Sequence, residues 1–367
     1  MAILFPVYKP YLIGNEKKYV MECLDSTWIS SKGKFINEFE TKFAEYLGVK
    51  FAASVSNGTV ALHVALLSLG IGNGDEVIVP TFTYIASVNA ITYTGALPVF
   101  VDSDAKSWQM SLEDTRKKIT KKTKAILAVH LYGHPCEIIE LKKIADEHNL
   151  FLIEDTAEAL GSKYNGKNVG TFGDISTFSF FGNKTITTGE GGMVITNNPD
   201  YHKKTVNLKG QGLADHREYW HDVIGYNYRM TNICAAIGIA QLENIDEIIK
   251  KKREIASWYK LGLKGSPIDL HDEVNSVFFS TYWMVSILTE NENKRDKLRE
   301  HLSLHGIETR PAFNPVHLMP MYANDNQYFP VAEDLGKRGI NLPSYPGLNE
   351  DDVKYICKTI NNFYDKY

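Results

Sequence analysis

The sequence predicts an α/β protein, with a large domain built on a mostly parallel sheet and a smaller C-terminal α/β domain. Short β-branched runs alternate with segments of helical periodicity over roughly the first 200 residues, the pattern of strands joined by crossover helices. Gly48, Gly70 and Gly95 stand where such helices would end. With 367 residues, the chain is long enough for one large domain and one smaller domain.

The first part of the chain supplies the elements of the large sheet. The expected strands are Phe51–Val55, Glu76–Val79, Pro98–Val101, Ala125–His130, Phe151–Asp155, Ile175–Phe180 and Gly192–Thr196. The expected helices are Thr59–Leu69, Tyr84–Tyr93, Ser111–Ile119 and Glu137–Glu147. The glycine-rich run Gly70–Gly74 follows a helix and precedes a strand, so it predicts a turn. A dinucleotide-binding loop would follow a strand, and a nicotinamide oxidoreductase is therefore disfavoured.

The second part of the chain predicts a separate, smaller unit. A helical stretch, Met230–Tyr259, leads out of the sheet. The later elements are expected to be a strand at Val277–Leu288, a helix at Lys294–His305, a run at Ile307–Arg310 and a closing helix at Asp351–Tyr364. We therefore predict a large domain over residues 1–245 and a small domain over residues 246–367.

Composition excludes several classes of function. The formal net charge is −4, and no basic surface is concentrated enough to follow a nucleic-acid backbone. The four cysteines lie far apart without a C-x-x-C pair, so neither a disulfide framework nor a zinc site is expected. His130 and His134 are four residues apart, but Gly133 and Pro135 interrupt the helix that metal-ligand spacing would need, so no metal is expected. The absence of a signal peptide and of a long apolar run predicts a cytoplasmic protein without membrane contact.

Lys184 is the strongest candidate for a catalytic residue. The apolar run Ile175–Phe181 leads into a segment of Gly, Thr and Asn that contains this lysine. A lysine that is poorly hydrated loses proton affinity and becomes a Schiff-base nucleophile, although a lone lysine in a loop is more often a solvated surface residue. Asp155 ends another apolar run 29 residues upstream. A reactive lysine and an acid for a pyridinium nitrogen are the minimal equipment for pyridoxal phosphate chemistry.

A phosphate site is predicted beside this lysine. Ser54–Thr59 has the order strand, small-residue turn and helix start, so the backbone N–H groups of Gly58 and Thr59 and the helix dipole would face an anion. Ser179, five residues before Lys184, would add a hydroxyl group. The alternative interpretation is a plain helix N-cap.

Three further side chains have two interpretations each. Asp155 is either the acid that keeps the pyridine nitrogen protonated or a strand-end carboxylate that caps the next helix. Glu158 either reaches the ring oxygen of the cofactor or is a helix-start acid favoured by the dipole. Tyr84, which follows a strand, either stacks on a ring face or is a buried core aromatic residue.

Together these segments resemble a known protein family. The motifs that carry the resemblance are Ser56–Thr59, Pro80–Tyr84, Glu154–Asp155, Ser179–Lys184 and Tyr226–Met230. In this order, over nearly the whole chain, they are similar to the DegT/DnrJ/EryC1/StrS family of nucleotide-sugar aminotransferases. The resemblance implies a fold-type-I aminotransferase that forms a homodimer with shared active sites, and leaves open a further association into tetramers. It also implies pyridoxal 5′-phosphate on Lys184, Asp155 at its ring nitrogen and Asn227 at the phosphate of the neighbouring subunit.

The resemblance also suggests the substrates. The segments Trp28–Gly33, Phe180–Asn183 and Arg310–Phe313 are most similar to members that form GDP-perosamine, a sugar of bacterial O-antigen lipopolysaccharide. This implies L-glutamate as amino donor and GDP-4-keto-6-deoxy-D-mannose as acceptor. Arg229, Arg310, Phe313 and His317 are candidates for holding the sugar or the donor carboxylate. Arg310 could equally pair with an acid of the small domain.

Alternatives to this reaction stay open at this point. The acceptor could be a dTDP- or UDP-linked keto sugar, or the chain could be a dehydratase on the same scaffold. Some relatives replace the lysine by histidine and become dehydratases, and Lys184 therefore favours transamination. A catalytically silent regulator is a third class, against which stand the complete set of lysine, acid and phosphate-binding residues and the absence of a DNA-binding appendage.

Overall fold

The computed structural model describes residues 3–324 and 326–366. Its strands are β1 (Phe51–Val55), β2 (Glu76–Pro80), β3 (Leu97–Val101), β4 (Thr123–Val129), β5 (Phe151–Asp155), β6 (Lys163–Tyr164), β7 (Lys167–Asn168), β8 (Ile175–Ser179), β9 (Gly192–Thr196), β10 (Asp269–Leu270), β11 (Phe278–Phe279), β12 (Val285–Leu288), β13 (Arg310–Pro311) and β14 (Gly339–Leu342). Its α-helices are α1 (Glu16–Asp25), α2 (Lys34–Leu47), α3 (Gly58–Ser68), α4 (Ile85–Tyr93), α5 (Leu112–Lys117), α6 (Ile138–Glu147), α7 (Pro199–Lys209), α8 (Asn232–Leu242), α9 (Ile245–Gly262), α10 (Glu292–Leu304), α11 (Pro330–Arg338) and α12 (Glu350–Tyr364).

The large sheet has seven strands in the order β1-β9-β8-β5-β4-β2-β3. Strand β9 runs antiparallel to its neighbours β1 and β8, and the other pairings are parallel. The prediction of a mostly parallel sheet is thus confirmed, and the bounds predicted for β1, β5 and β9 agree with the structure. The carboxyl ends of β1, β8, β5, β4 and β2 meet at one edge of the sheet, which is where α/β proteins bind ligands.

Helix α3 packs this sheet from one side and begins at the edge just described. Asn57 is its N-cap, and the side-chain oxygen of Asn57 accepts a hydrogen bond from the backbone N–H of Val60 at 3.0 Å. Most residues of α3 are buried, as expected for a helix that is apolar all round. On the opposite face of the sheet, the rings of Phe39 and Phe43 in α2 contact Phe180, with ring centroids 5.2 and 5.5 Å apart.

Two predicted elements are each divided in the structure. The helical stretch expected over Met230–Tyr259 is two helices, α8 and α9, because Asn244 leaves helical geometry at φ −114° and its amide caps the Ala240 carbonyl at 2.9 Å. The strand expected over Val277–Leu288 is divided into β11 and β12, which belong to different sheets. Tyr282 lies between them with φ 48°, in the left-handed region that a continuous strand cannot contain.

The C-terminal part forms a second, antiparallel sheet in the order β10-β12-β14-β13. Helices α9, α10 and α12 contribute buried residues to the core beside it. The predicted division at residue 245 stays a prediction; α9 begins at that residue. The segment before α1 joins this smaller unit, since Leu4 N–H donates to Gly306 O and Glu308 N–H donates to Phe5 O, both at 2.9 Å.

No helix within the described ranges has the length and apolar character needed to cross a lipid bilayer.

Two leucine side chains allow the packing of the helices to be tested. Leu66 in α3 is fully buried, whereas Leu261 in α9 is 74% exposed. Since both residues lie in the last turn of a helix, they form a matched pair for testing the core.

We expect Leu66→Ala to lower the free energy of unfolding by about 2–5 kcal/mol, because it removes buried methyl groups and leaves a cavity. Leu261→Ala should change it by less than about 0.5 kcal/mol, because that side chain is already hydrated. Urea unfolding followed by circular dichroism measures both values. Equal effects of the two substitutions would contradict the packing of α3 against the sheet.

Candidate active site

A cavity of about 590 Å³ opens at the carboxyl edge of the large sheet. Strands β5 and β8 end at this cavity, and α3 and α4 begin beside it. Eight of the residues predicted from the sequence line it: Gly58, Thr59, Tyr84, Asp155, Glu158, Ser179, Lys184 and Phe313. The structure therefore brings the lysine, the two acids and the predicted phosphate loop together in one place.

Lys184 follows β8 in a tight turn, in which its N–H donates to Phe181 O at 2.9 Å. Its amine Nζ lies 3.6 Å from Oε1 of Glu158 and 4.0 Å from the centroid of the Trp283 ring. Burial lowers the pKa of Lys184, while the charges of Glu158 and Asp155 act in the opposite direction. A lysine in this setting releases its proton more readily than a solvated one, which is what a nucleophilic amine requires.

Glu158 is the closest acid to this amine. Its Oε2 accepts a hydrogen bond from the backbone N–H of Tyr132 at 2.9 Å, which fixes the carboxyl group in the cavity. Burial raises the pKa of Glu158 to about 7, against the lowering effect of the nearby Lys184. Burial thus shifts both partners towards their neutral forms, which favours a neutral lysine amine beside a protonated carboxyl group.

Asp155 is the last residue of β5 and points into the same cavity. The Ser87 hydroxyl donates to Oδ2 at 2.7 Å and the Ala157 N–H donates to Oδ1 at 3.1 Å. Burial raises the pKa of Asp155, whereas these two donors favour the ionised form. A positively charged N–H group in the cavity would complete the pairing of this carboxylate, so a pyridinium nitrogen suits it.

The start of α3 has the shape of an anion cradle. The first N–H groups of a helix have no partner within the helix, and Gly58 and Thr59 are the first two residues of α3. A Cβ atom on Gly58 would lie 2.7 Å from Cβ of Ser179, so glycine is what allows the Ser179 hydroxyl to approach the helix start. Backbone donors, the helix dipole and this hydroxyl group converge on the cavity, and they fit a phosphate group.

Aromatic side chains supply flat surfaces at the mouth and wall of the cavity. Tyr84 immediately precedes α4 and is 56% exposed, so the structure does not support the alternative of a buried core residue. Its ring lies 5.6 Å from that of Phe313, between centroids. Trp283 adds a buried indole beside Lys184. A reactive lysine, a pairing acid, an anion cradle and aromatic walls in one cavity together fit pyridoxal phosphate.

Two predicted residues, Asn227 and Arg229, are exposed outside the cavity of their own chain. They lie on the segment that runs beside the phosphate loop, where Arg229 pairs with Val55 and Ser56 N–H donates to Tyr228 O at 2.8 Å. This position leaves their side chains on the outer surface. The predicted contact of Asn227 with a neighbouring subunit stays a prediction.

The candidates Arg310 and His317 also lie apart from the cavity lining. The exposed Arg310 guanidinium pairs with Glu308 at 2.8 Å, which is the alternative considered for it from the sequence. The His317 ring is buried, with Nδ1 2.7 Å from Oγ1 of Thr81 and Nε2 3.4 Å from Oε1 of Glu333. In the single chain, therefore, neither side chain points to a ligand, and their substrate contacts stay predictions.

Sequence reasoning missed two residues of the site: Ser87, which contacts Asp155, and Trp283, which contacts Lys184. Ser87 carries no motif within the predicted helix Tyr84–Tyr93, and the first turn of α4 brings it to Asp155. Trp283 lies 99 residues beyond Lys184 in the sequence, in what was expected to be a continuous strand. No local motif signals such a long-range contact.

Because the pKa of Glu158 is raised in the folded protein, we predict that its ionisation lowers the free energy of unfolding as the pH rises. A carboxyl group with a raised folded-state pKa contributes stability below its ordinary pKa of 4.5, and this contribution is lost as the pH rises through about 7. We expect Glu158→Gln to gain stability relative to the wild type over this range, by at most about 3 kcal/mol. Urea unfolding of the cofactor-free proteins at several pH values measures the difference. The exposed Glu300→Gln is the control, and parallel pH profiles for Glu158→Gln and wild type would contradict the assignment.

Comparison with known proteins agrees with this site. The family model for the DegT/DnrJ/EryC1/StrS aminotransferase family matches residues 10–361. GDP-perosamine synthase of Escherichia coli O157:H7 is 66% identical over 98% of this chain and 98% of its own length. The Vibrio cholerae GDP-perosamine synthase is 56% identical over 99% of this chain and 100% of its own. Spr1654 of Streptococcus pneumoniae, described as a sugar aminotransferase and solved in its PLP form, superimposes with a TM-score of 0.94 at 28% identity, covering 100% of this chain and 99% of its own. This chain therefore belongs to the DegT/DnrJ/EryC1/StrS aminotransferase family.

Proposed function

We propose that this protein transfers an amino group from L-glutamate to C4 of GDP-4-keto-6-deoxy-D-mannose and so forms GDP-perosamine. The observation that carries the proposal is the buried Lys184 amine, which lies 3.6 Å from an acid in a cavity that the anion cradle also lines. The similarity to two GDP-perosamine synthases over nearly the full chain supports the choice of nucleotide and sugar. The product would serve the synthesis of O-antigen lipopolysaccharide.

Pyridoxal phosphate, when bound, supplies a carbonyl group that accepts the amino group and a ring that stabilises negative charge at the reacting carbon. The chain has a residue that could bind each part of this cofactor. Lys184 would form the covalent link, and Asp155 would pair with the ring nitrogen. Thr59 and the backbone of Gly58, with Ser179, would hold the phosphate. Tyr84 would cover a ring face, and Glu158 lies on the lysine side of the cavity.

The buried amine also suits the proton transfer that transamination requires. Once the amino donor has displaced it, the Lys184 amine is free to take a proton from one carbon and deliver it to another. Desolvation lowers the pKa of the amine and so favours its neutral form, while Glu158 at 3.6 Å stabilises the charged form. The amine is largely shielded by the cavity walls, with 12% of its side chain exposed.

The function is tested by incubating the wild-type protein with pyridoxal phosphate, L-glutamate and 4-keto-6-deoxy sugars linked to GDP, dTDP or UDP. We expect formation of 2-oxoglutarate in equal amount to an amino sugar, with the GDP-linked substrate preferred. Preference for dTDP or UDP would reject the nucleotide assignment. Turnover of the sugar without consumption of L-glutamate would indicate a dehydratase instead.

In the same assay, Lys184→Ala should reduce turnover by more than about a thousandfold, because it removes both the covalent anchor and the proton carrier. It should also remove the visible absorption that the cofactor acquires on binding to the lysine. The matched control is Lys264→Ala, which alters a surface lysine outside the cavity. A near-normal rate for Lys184→Ala would contradict the role of this residue.

We further propose that the protein is a homodimer in which Asn227 of one subunit binds the cofactor phosphate in the other. The support is the exposed position of Asn227 beside the phosphate loop and outside the cavity of its own chain. On this proposal, a hybrid dimer of Lys184→Ala and Asn227→Ala subunits carries both defects in one site and leaves the other site intact.

Mixing these two weak variants, with mild unfolding and refolding, should therefore restore roughly a quarter of the wild-type activity if subunits pair at random. Activity and the dimer population are measured on the same mixture. Mixing Lys184→Ala with the double variant Lys184→Ala/Asn227→Ala is the control and should restore nothing. Hybrid dimers without recovered activity would contradict the exchange of Asn227 between subunits.

A further inference from the structure

Two side chains from distant parts of the sequence bind the main chain at Lys184. The indole Nε1–H of Trp283 donates to the carbonyl of Asn183 at 2.6 Å. The hydroxyl of Tyr8 donates to the carbonyl of Lys184 itself at 2.6 Å. Two consecutive carbonyls, one on each side of the Lys184 Cα, are thus fixed by donors that do not belong to the large sheet.

Both donors are connected to the smaller C-terminal unit, and their rings pack at the core cluster that contains residues of the large sheet. Trp283 lies two residues before β12 of the smaller sheet and is 4% exposed. Next to Tyr8, the Val7 N–H donates to Oε2 of Glu308 at 3.1 Å, and the Val7 carbonyl accepts from Ser344 N–H at 3.3 Å. A shift of the smaller sheet relative to the large one would therefore pull directly on the turn that carries the lysine.

The chemistry of Tyr8 suits a permanent donor. Burial raises the pKa of Tyr8, so its hydroxyl keeps its proton throughout the usual pH range. The Lys252 amine lies 5.3 Å from the centroid of the Tyr8 ring and donates to Ser344 O at 2.9 Å. The ring is thus supported by a neighbouring group that is itself held in place, which leaves the Tyr8 hydroxyl little freedom to turn away.

Trp283 does more than donate a hydrogen bond. Its ring face lies 4.0 Å from the Lys184 amine, within the range of a cation–π interaction. The indole therefore contacts Lys184 at both ends, through the preceding carbonyl and through the side-chain amine. A residue with these two contacts restricts the direction in which the amine can point.

We propose that Tyr8 and Trp283 are positioning residues through which the smaller sheet fixes Lys184, and that the Trp283 ring holds the lysine amine whenever it is not bound to the cofactor. The inference rests on the proposed function for the role of Lys184. It adds two residues that act through the lysine and a physical route from the C-terminal unit to the reacting atom.

The test uses Tyr8→Phe and Trp283→Phe, which each remove one donor and keep a ring, and Trp283→Leu, which removes donor and ring. The matched controls are Tyr355→Phe and Trp258→Phe, away from the cavity. We expect each single donor loss to slow the first-order reaction of the loaded protein with L-glutamate by roughly fivefold to tenfold, the rate effect of one hydrogen bond. The KM for L-glutamate should stay within about twofold of wild type.

Two measurements with pyridoxal phosphate alone separate positioning from a merely structural role. The visible circular dichroism of the bound cofactor should weaken in Tyr8→Phe and Trp283→Phe, since it reports a fixed orientation. The rate of cofactor binding, measured against pH, reports how readily Lys184 loses its proton. In Trp283→Leu the midpoint of this pH profile should move to lower pH by on the order of half a unit, because the Trp283 ring stabilises the charged amine of Lys184 in the wild type. Trp283→Phe should largely restore the midpoint.

Variants with a lowered melting temperature but wild-type rate constant and dichroism would overturn the positioning role. An unchanged or higher midpoint in Trp283→Leu would overturn the role of the ring. If Trp283→Leu does not fold, Trp283→Phe and Tyr8→Phe still decide the main-chain contacts.

A wild-type protein that binds pyridoxal phosphate but does not react with L-glutamate would reject the amino donor of the proposed function. The dichroism and binding measurements would then still decide this inference.

Discussion

The site depends on the burial of one lysine together with two carboxyl groups. Lys184, Asp155 and Glu158 share a cavity in which water cannot solvate three charges, and burial disfavours the charged form of each. Among these three side chains there is one potential cation for two potential anions. A ring cation beside Asp155 would pair with this carboxylate, and a ligand that binds the folded chain in this way would stabilise it.

The direction of the strands explains why these groups meet. Asp155 and Ser179 are the final residues of two neighbouring parallel strands, so the backbone delivers both to the same edge of the sheet. Helix α3 starts at this edge and directs its free N–H groups there. The reversed strand β9 fills the position between β1 and β8, which keeps β1 parallel to the rest and its phosphate loop at the same edge.

Local motifs in the sequence were enough to predict the sheet and much of the site, because strand ends and helix starts follow from short-range patterns. Asp155, Gly58 and Lys184 could each be found in this way. Trp283 and Tyr8 could not, since each contacts the lysine turn across at least 99 residues of sequence. Nor could the sequence show that His317 contacts Thr81 within the chain, because side-chain pairing across a fold has no local signature.

The pairing of the N-terminal segment with the smaller sheet has a consequence for biosynthesis. Val7 and its partner Glu308 are separated by 301 positions, so Val7 leaves the ribosome long before Glu308 has been made. The large sheet can form from residues 51–196 without either of them. The hydrogen bonds of Tyr8 and Trp283 to the main chain at Lys184 therefore form after the last part of the chain has been made. Newly made chains would thus have all strands of the large sheet before the contacts that fix the lysine turn are available.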